Sequence, residues 1–259
     1  MADGTQSIGR AIQILKAFDD ENPTRDLTQL VEVTGLNKTT VHRILNALEQ
    51  EGLIERTDDN GYCLGSELIA MGGRAARANN LREASYSHIR ALSRITGETT
   101  TLEIIRRENN ITFTLVIDEV LGKHLVGINQ YIGTKLPIHA TSTGKAILAY
   151  LPDDAINDLQ TPELRQYTVA TVTSYENLNA ELRKIRSTGY SLVMGELEEG
   201  LVAIGAPVFN HNAEPVAAIS LVGPSVRINR EKAVALSADV MSTAASISYA
   251  IGYREPETV

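Results

Sequence analysis

A single cysteine, Cys63, in 259 residues excludes an intramolecular disulfide framework and any cysteine-cluster metal site. No apolar run approaches the roughly 18 residues that a membrane span needs. The N-terminal stretch MADGTQSIGR has no apolar segment of the secretory-signal kind. Together these absences place the expected site of action in the cytoplasm, with no membrane partner. The five histidines, His42, His88, His124, His139 and His211, are scattered, and no pair has metal-ligand spacing on one helix face. No metal and no cofactor are expected. Basic charge is also short: 24 Lys and Arg stand against 32 Asp and Glu, for a net charge of −8. Residues 1–80 hold 8 basic and 12 acidic side chains, so no basic domain is hidden in the average. Internal repeats and low-complexity tracts are missing too.

What is present is the composition of a globular protein, 43% hydrophobic and 22% charged, long enough for one large domain or two ordinary ones. Ile8, Ala11, Ile12, Leu15 and Phe18 recur at helical spacing, which predicts a helix from Ser7, as its cap, to Phe18. The run DDENPTRD reads as a loop. A short helix over Leu27–Thr34 ends at Gly35, and Asn37 can cap a third over Lys38–Glu51. Two helices about a glycine-containing turn form a helix-turn-helix.

In the third helix Val41, Ile44, Leu45 and Leu48 complete a buried stripe. The other face carries Lys38, Thr39, Thr40, His42, Arg43 and Asn46, with no acid before Glu49. Hydroxyls and amides near a helix start can reach base edges, and cations can hold phosphates. LIER and YCLG then flank TDDNG, where Asn60-Gly61 signals a hairpin, the wing of a winged helix. A solvated amphipathic helix would show the same periodicity. The ordered set of helices, turn, polar face and hairpin favours DNA, with Asn37 and Arg10 added to the contacts. Clustered cations, not bulk charge, decide phosphate binding. Cys63 reads as a small strand residue.

Ser66–Asn79 reads as a helix interrupted at Gly72-Gly73, followed by an amphipathic helix over Leu81–Thr96. The predicted organisation is a winged helix-turn-helix over 1–65, a linker helix over 66–80 and a second domain over 81–254. Strands are predicted at TTTLEIIRR and ITFTLVIDEV, joined at ENN, then at HLVGI, YSLVM, LVAIGAPVF and PVAAISLVG. Helices are predicted over Ser142–Leu151, Asp153–Leu159, Tyr175–Ser187 and Arg230–Ile251. The fold class is α+β, helices flanking a largely antiparallel sheet.

Thr141-Ser142-Thr143-Gly144-Lys145 opens one of those helices, where free amides, the helix dipole and three hydroxyls favour an anion. The motif is not a P-loop, because His139 stands where its first glycine belongs and Ala146 follows Lys145. Ser142 and Lys145 match S-x-x-K of serine acyl enzymes, but no K-T-G or S-D-N follows. His139 could orient a ligand or simply be a satisfied structural residue. Glu196, Glu198 and Glu199 read as a solvated turn.

TTVHRILNALEQEGLIER, LPIHATSTGKAILAYL, and GELEEGLVAIGAPVF with PVAAISLVGP together resemble the IclR family of bacterial transcription regulators over almost the whole chain. The resemblance implies an N-terminal winged helix-turn-helix, a C-terminal GAF-like effector domain, and dimers or tetramers built as pairs of dimers. It also implies double-stranded operator DNA and a small organic effector as partners. An effector pocket bounded by Thr141–Gly144 and the C-terminal strands follows from the resemblance. There this chain departs from the family pattern: Val193 replaces an acid, Ala203 a cysteine and Val222 a serine, while Ser220 is kept. Three losses of polarity imply an aromatic or medium-length carboxylate or amide effector. A hydrolase using Ser142, fused to a DNA-binding module, and a protein-binding scaffold are the competing readings.

Overall fold

The computed structural model describes residues 3–77, 80–108, 111–124, 131–152 and 164–254. The expected turn at Asn109-Asn110, the helix over Asp153–Leu159 and all but the first residue of the HLVGI strand lie outside them. The chain divides into two compact units, Met1–Ala78 and Asn79–Val259.

The first unit holds α1 (Asp3–Leu15), β1 (Thr24–Arg25), α2 (Leu27–Thr34), α3 (Lys38–Gln50), β2 (Ile54–Arg56), β3 (Tyr62–Leu64) and α4 (Ser66–Arg77). Asp26 starts α2 with a capping box: its carboxylate accepts from the Gln29 amide, and the Gln29 side chain accepts from the Asp26 N–H. Gly35 ends α2 at φ 67°, a left-handed cap that costs glycine nothing. Val41, Ile44, Leu45 and Leu48 are buried with Ile14, Ala17, Phe18, Leu30, Ile54 and Tyr62 in one core.

Three sequence expectations change here. Ser7 lies inside α1, which begins at Asp3 and ends at Leu15. Ile8 and Ile12 are 64% and 46% exposed, so the core takes Ile14 and Ala17 in their place and keeps the expected Phe18. The DDENPTRD loop contains β1, which pairs antiparallel with β3 (Thr24 with Cys63, Arg25 with Tyr62). α4 runs unbroken through Gly72 and Gly73. Glycine inside a helix costs about 1 kcal/mol, which weakens a helix without ending it.

The second unit holds α5 (Asn80–Thr96), β4 (Thr99–Glu108), β5 (Ile111–Val120), β6 (Lys135–Pro137), α6 (Ser142–Leu148), α7 (Tyr175–Thr188), β7 (Ser191–Met194), β8 (Leu201–Phe209), β9 (Pro215–Pro224) and α8 (Arg230–Ala250). The six strands form one antiparallel sheet in the order β6-β5-β4-β9-β8-β7. Ile89 and Leu92 of α5 and Ala233, Val240, Ala244 and Ile247 of α8 join Leu102, Ile204, Ile219 and Leu221 in the larger core. α6 packs against β8 and β9, and Leu148 shares a smaller core with Leu178, Leu182 and Ile185 of α7. β6, unforeseen in the sequence, is a three-residue edge strand paired with β5.

Two glycines seat α6 directly on backbone, Gly144 on the turn after β6 and Gly205 on β8. A Cβ on Gly144 would sit 2.1 Å from the Ile138 carbonyl oxygen, and one on Gly205 of β8 would sit 2.6 Å from the Ser142 oxygen. With no side chain between helix and strand, every residue of α6 is buried, including Lys145.

Candidate functional site: a recognition helix and an internal cavity

On the first unit the polar face of α3 is open to solvent. Asn37, Lys38, Thr39, His42 and Arg43 are exposed, and Thr40 is half-buried. Asn37 caps the helix by accepting from the Thr40 N–H at 2.8 Å, so its side chain is committed to the helix start. Asn46 lies 3.5 Å from the His42 ring nitrogen. Glu49, the first acid on the helix, is held by Arg56 of the wing at 3.0 and 3.1 Å, which offsets its charge. Arg56 also stacks over Tyr62. The wing turns at Asn60, whose φ of 59° is tolerated by asparagine, and at Gly61. Arg10 is half-buried on α1.

On the second unit a cavity is lined by Glu103, Leu136, Ala140, Thr141, Ser142, Thr143, Val193, Glu196, Leu197, Leu201, Ala203, Ser220 and Val222. Seven of the nine predicted effector residues line it; His139 and Gly144 do not. Its volume is about 20 Å³, within about 360 Å³ of space that includes the open mouth.

The sheet register explains the wall. Val193 pairs with Ala203, and Ala203 pairs with Val222, so the three apolar replacements form one row across β7, β8 and β9. The next row on that face places Gly205 opposite Ser220, and Ser220 opposite Thr101 of β4. Ser142 donates to Ser220 at 3.3 Å.

The helix start is less available to an anion than the sequence suggests. The Thr141 hydroxyl donates to the Pro137 carbonyl and accepts from the Gly144 N–H. The Thr143 hydroxyl donates to Glu103 at 2.5 Å. α6 itself has seven residues, too few for a large dipole.

Sequence reading missed two features of this site. Glu103, 1% exposed, holds its carboxyl among the hydroxyls of Thr101, Thr114 and Thr143, and burial pushes its pKa above the usual carboxylate range against those three bonds. An isolated charged residue inside a predicted strand was the only sequence signal.

Lys145, also 1% exposed, is held by both oxygens of Glu196 at 2.7 Å and by Glu181 of α7 at 2.5 Å. Glu196 is therefore a buried ion-pair partner and not a solvated turn residue. Burial raises its pKa, and the Lys145 ammonium opposes that rise. An ammonium spent on two carboxylates is not a base for Ser142, which lacks the orienting set that nucleophilic catalysis needs. His139 hydrogen-bonds the Arg165 carbonyl through Nε2, and burial lowers its pKa, so it is neutral near pH 7. Among the described residues no cluster of His, Cys, Asp and Glu could hold a metal ion, and no helix is long and apolar enough to cross a membrane.

Both units have known counterparts. Residues 7–58 match the IclR helix-turn-helix domain, and residues 73–249 match the C-terminal domain of the bacterial transcriptional regulator IclR. The chain is 31% identical over 250 residues to the HTH-type transcriptional regulator XynR of Escherichia coli, covering 96% of this chain and 98% of that protein. It is likewise 31% identical to the transcriptional repressor IclR of Escherichia coli, covering 95% and 90%. An IclR transcriptional regulator from Alicyclobacillus acidocaldarius superposes with a TM-score of 0.85 at 26% identity, covering 95% of this chain and 99% of that one. With an exposed reading helix in one unit, a walled cavity in the other and these matches across both, the chain belongs to the IclR family of bacterial transcription regulators.

Proposed function

We propose that this regulator is a repressor of a catabolic operon, acting in the cytoplasm as a dimer or a dimer of dimers. It binds an inverted repeat through residues 1–65, carries a linker helix over 66–80, and senses an effector and oligomerises through residues 81–254. Thr39, Thr40, His42 and Arg43 read bases; Arg10, Asn37 and Lys38 hold the backbone. The exposure of that face and the neutralised Glu49 support this reading, as does the name repressor carried by one relative. A single winged helix reads only a few base pairs, which is why two are needed.

The effector is an aromatic or medium-length carboxylate or amide. The observation that carries this is the apolar row Val193-Ala203-Val222 on the cavity wall. A short keto acid would leave its polar far end unpartnered there, at about 1–3 kcal/mol per group. An apolar body instead gains about 25 cal/mol per Å² buried. The cavity is tight, so the ligand must bind an opened form better than the closed one, and such differential binding is what shifts an equilibrium.

The test is footprinting of the full chain upstream of its neighbouring genes, then calorimetry with benzoate-like probes against pyruvate and glyoxylate. Half-site centres about 10 bp apart, or a multiple, are expected. No protected palindrome refutes the operator reading. Tighter binding of pyruvate than of benzoate and benzamide refutes the pocket reading.

A further inference from the structure

The chemistry of the effector's polar end is written in the floor of the cavity. Glu103 Oε2 accepts from Thr114 at 2.7 Å and from Thr143 at 2.5 Å, which fills both of its lone pairs. Among the described residues Oε1 accepts from Thr101 alone, at 2.9 Å, which leaves one acceptor position on a group that lines the cavity. The hydroxyls of Thr141, Ser142 and Thr143, the donors an incoming anion would use, are already spent on the Pro137 carbonyl, Ser220 and Glu103. The cavity therefore offers an open acceptor where a carboxylate ligand would need a donor.

The surrounding charges point the same way. From the turn after β7, Glu196 lines the same cavity, and α6 brings Lys145, whose ammonium is divided between Glu196 and Glu181 of α7. β5 sets Glu119 across from Thr101 and turns Asp118 to Arg82 of α5 at 3.2 Å. β9 sets Ala218 across from Glu103 and Ser220 across from Thr101, neither of them titratable. His139, ahead of α6, is bonded to the Arg165 carbonyl. Among these described groups, the acids outnumber the cations Lys145 and Arg82.

Resting on the effector-pocket reading above, we propose that Glu103 selects the polar end of the effector, accepting from a neutral donor such as an amide or hydroxyl and turning away a carboxylate. An acid enters only if one proton comes with it, because two carboxylates in contact cannot both stay ionised. That proton is the signature that separates selection by Glu103 from a merely structural role.

The experiment is calorimetry on the full chain with two isosteric pairs, benzamide with benzoate and lactamide with lactate, at pH 5.5 and pH 8. Each titration is repeated in two buffers of different ionisation enthalpy. At pH 8 benzamide should bind about tenfold or more tighter than benzoate, one tenfold step for each pKa unit of mutual repulsion. Benzoate binding should take up close to one proton at pH 8 and tighten as pH falls. In Glu103→Gln the amide preference should shrink to within about threefold, and the proton uptake should vanish. The wild-type proton count tests the proposal even if that variant does not fold. Benzoate binding as tightly as benzamide at pH 8 with no proton uptake overturns the role of Glu103 and leaves the pocket intact. An amide preference seen only in the lactate pair keeps Glu103 and removes the aromatic body. No binding of any of the four probes overturns both.

Discussion

Asn37-Lys38-Thr39-Thr40 opens α3 and Thr141-Ser142-Thr143-Gly144-Lys145 opens α6. Both starts have an oxygen cap, threonines and a lysine. In α3 the lysine and Thr39 stand in solvent. In α6 the lysine is 1% exposed and the threonines are hydrogen-bonded inward. The difference comes from what lies beneath. α3 rests its apolar stripe on other side chains and keeps its far face free. α6 uses Gly144 to lie on the turn after β6 and Gly205 to lie on β8, and so has no far face. The first arrangement suits a helix that reads an outside partner. The second suits a wall whose polar groups are fixed before a ligand arrives.

Removing the charge from each lysine tests this contrast most severely. Lys145→Met leaves Glu196 buried and unpaired, and a broken buried ion pair costs about 3–5 kcal/mol. Lys38→Met should stay within about 0.5 kcal/mol of wild type in stability while weakening DNA binding. Urea denaturation of both variants measures the gap. Equal stabilities would mean that the Lys145 pairing contributes nothing. The double variant Lys145→Met, Glu196→Gln should recover most of the loss, since no lone charge remains at that pair.

The glycines come next. Gly144→Ala drives a methyl into the Ile138 carbonyl and should destabilise by about 1–3 kcal/mol or more. Gly72→Ala on α4 meets nothing within 4 Å and should stabilise by about 0.5–1 kcal/mol. A neutral Gly144→Ala would show that α6 can lift from the Ile138 turn at little cost.

Of comparable size, but read on DNA, are changes on α3. Arg43→Ala and Thr40→Ala should each cost about 1–3 kcal/mol on operator and relax specificity, whereas Arg10→Ala should weaken operator and random DNA alike. Binding titrations on both DNAs separate the cases. Uniform losses for all three would remove base reading from α3.

The same contrast explains what was legible beforehand. α3, its cap, Gly35 and the hairpin were readable because each is set by neighbours within about seven residues: Val41, Ile44, Leu45 and Leu48 share a face whatever the rest of the chain does. α1 misled because Ile8 and Ile12 have the right spacing, and periodicity alone does not say which stripe meets a core. The cavity residues were named from family likeness, but their alignment was not foreseeable. Val193, Ala203 and Val222 become neighbours only through strand register, a long-range property. Glu103 and Thr143 are 40 residues apart, and Lys145 and Glu196 are 51 apart. No local pattern links them.

The smallest stability effect expected is that of Glu103→Gln, because glutamine keeps the shape and can still bond the three threonine hydroxyls. Its value lies in its pH dependence. Burial raises the Glu103 pKa in the folded protein above the usual carboxylate range. A group with a raised folded pKa contributes stability that is fully present below its unfolded pKa and lost as pH rises through the folded value. Wild type should therefore lose stability over that rise, relative to a variant that cannot ionise at this position. At pH 4 the two proteins should melt together within error, and by pH 8 Glu103→Gln should melt higher. Differential scanning calorimetry across that range reads the divergence directly. The α3 side supplies the control: Glu49→Gln, at a half-buried carboxylate paired with Arg56 at 3.0 Å, should lose a little stability at neutral pH and not gain any. Parallel melting curves for wild type and Glu103→Gln from pH 4 to pH 8 would mean that this carboxyl ionises at the same pH in the folded and unfolded chains, so that its burial puts no net cost on its charge.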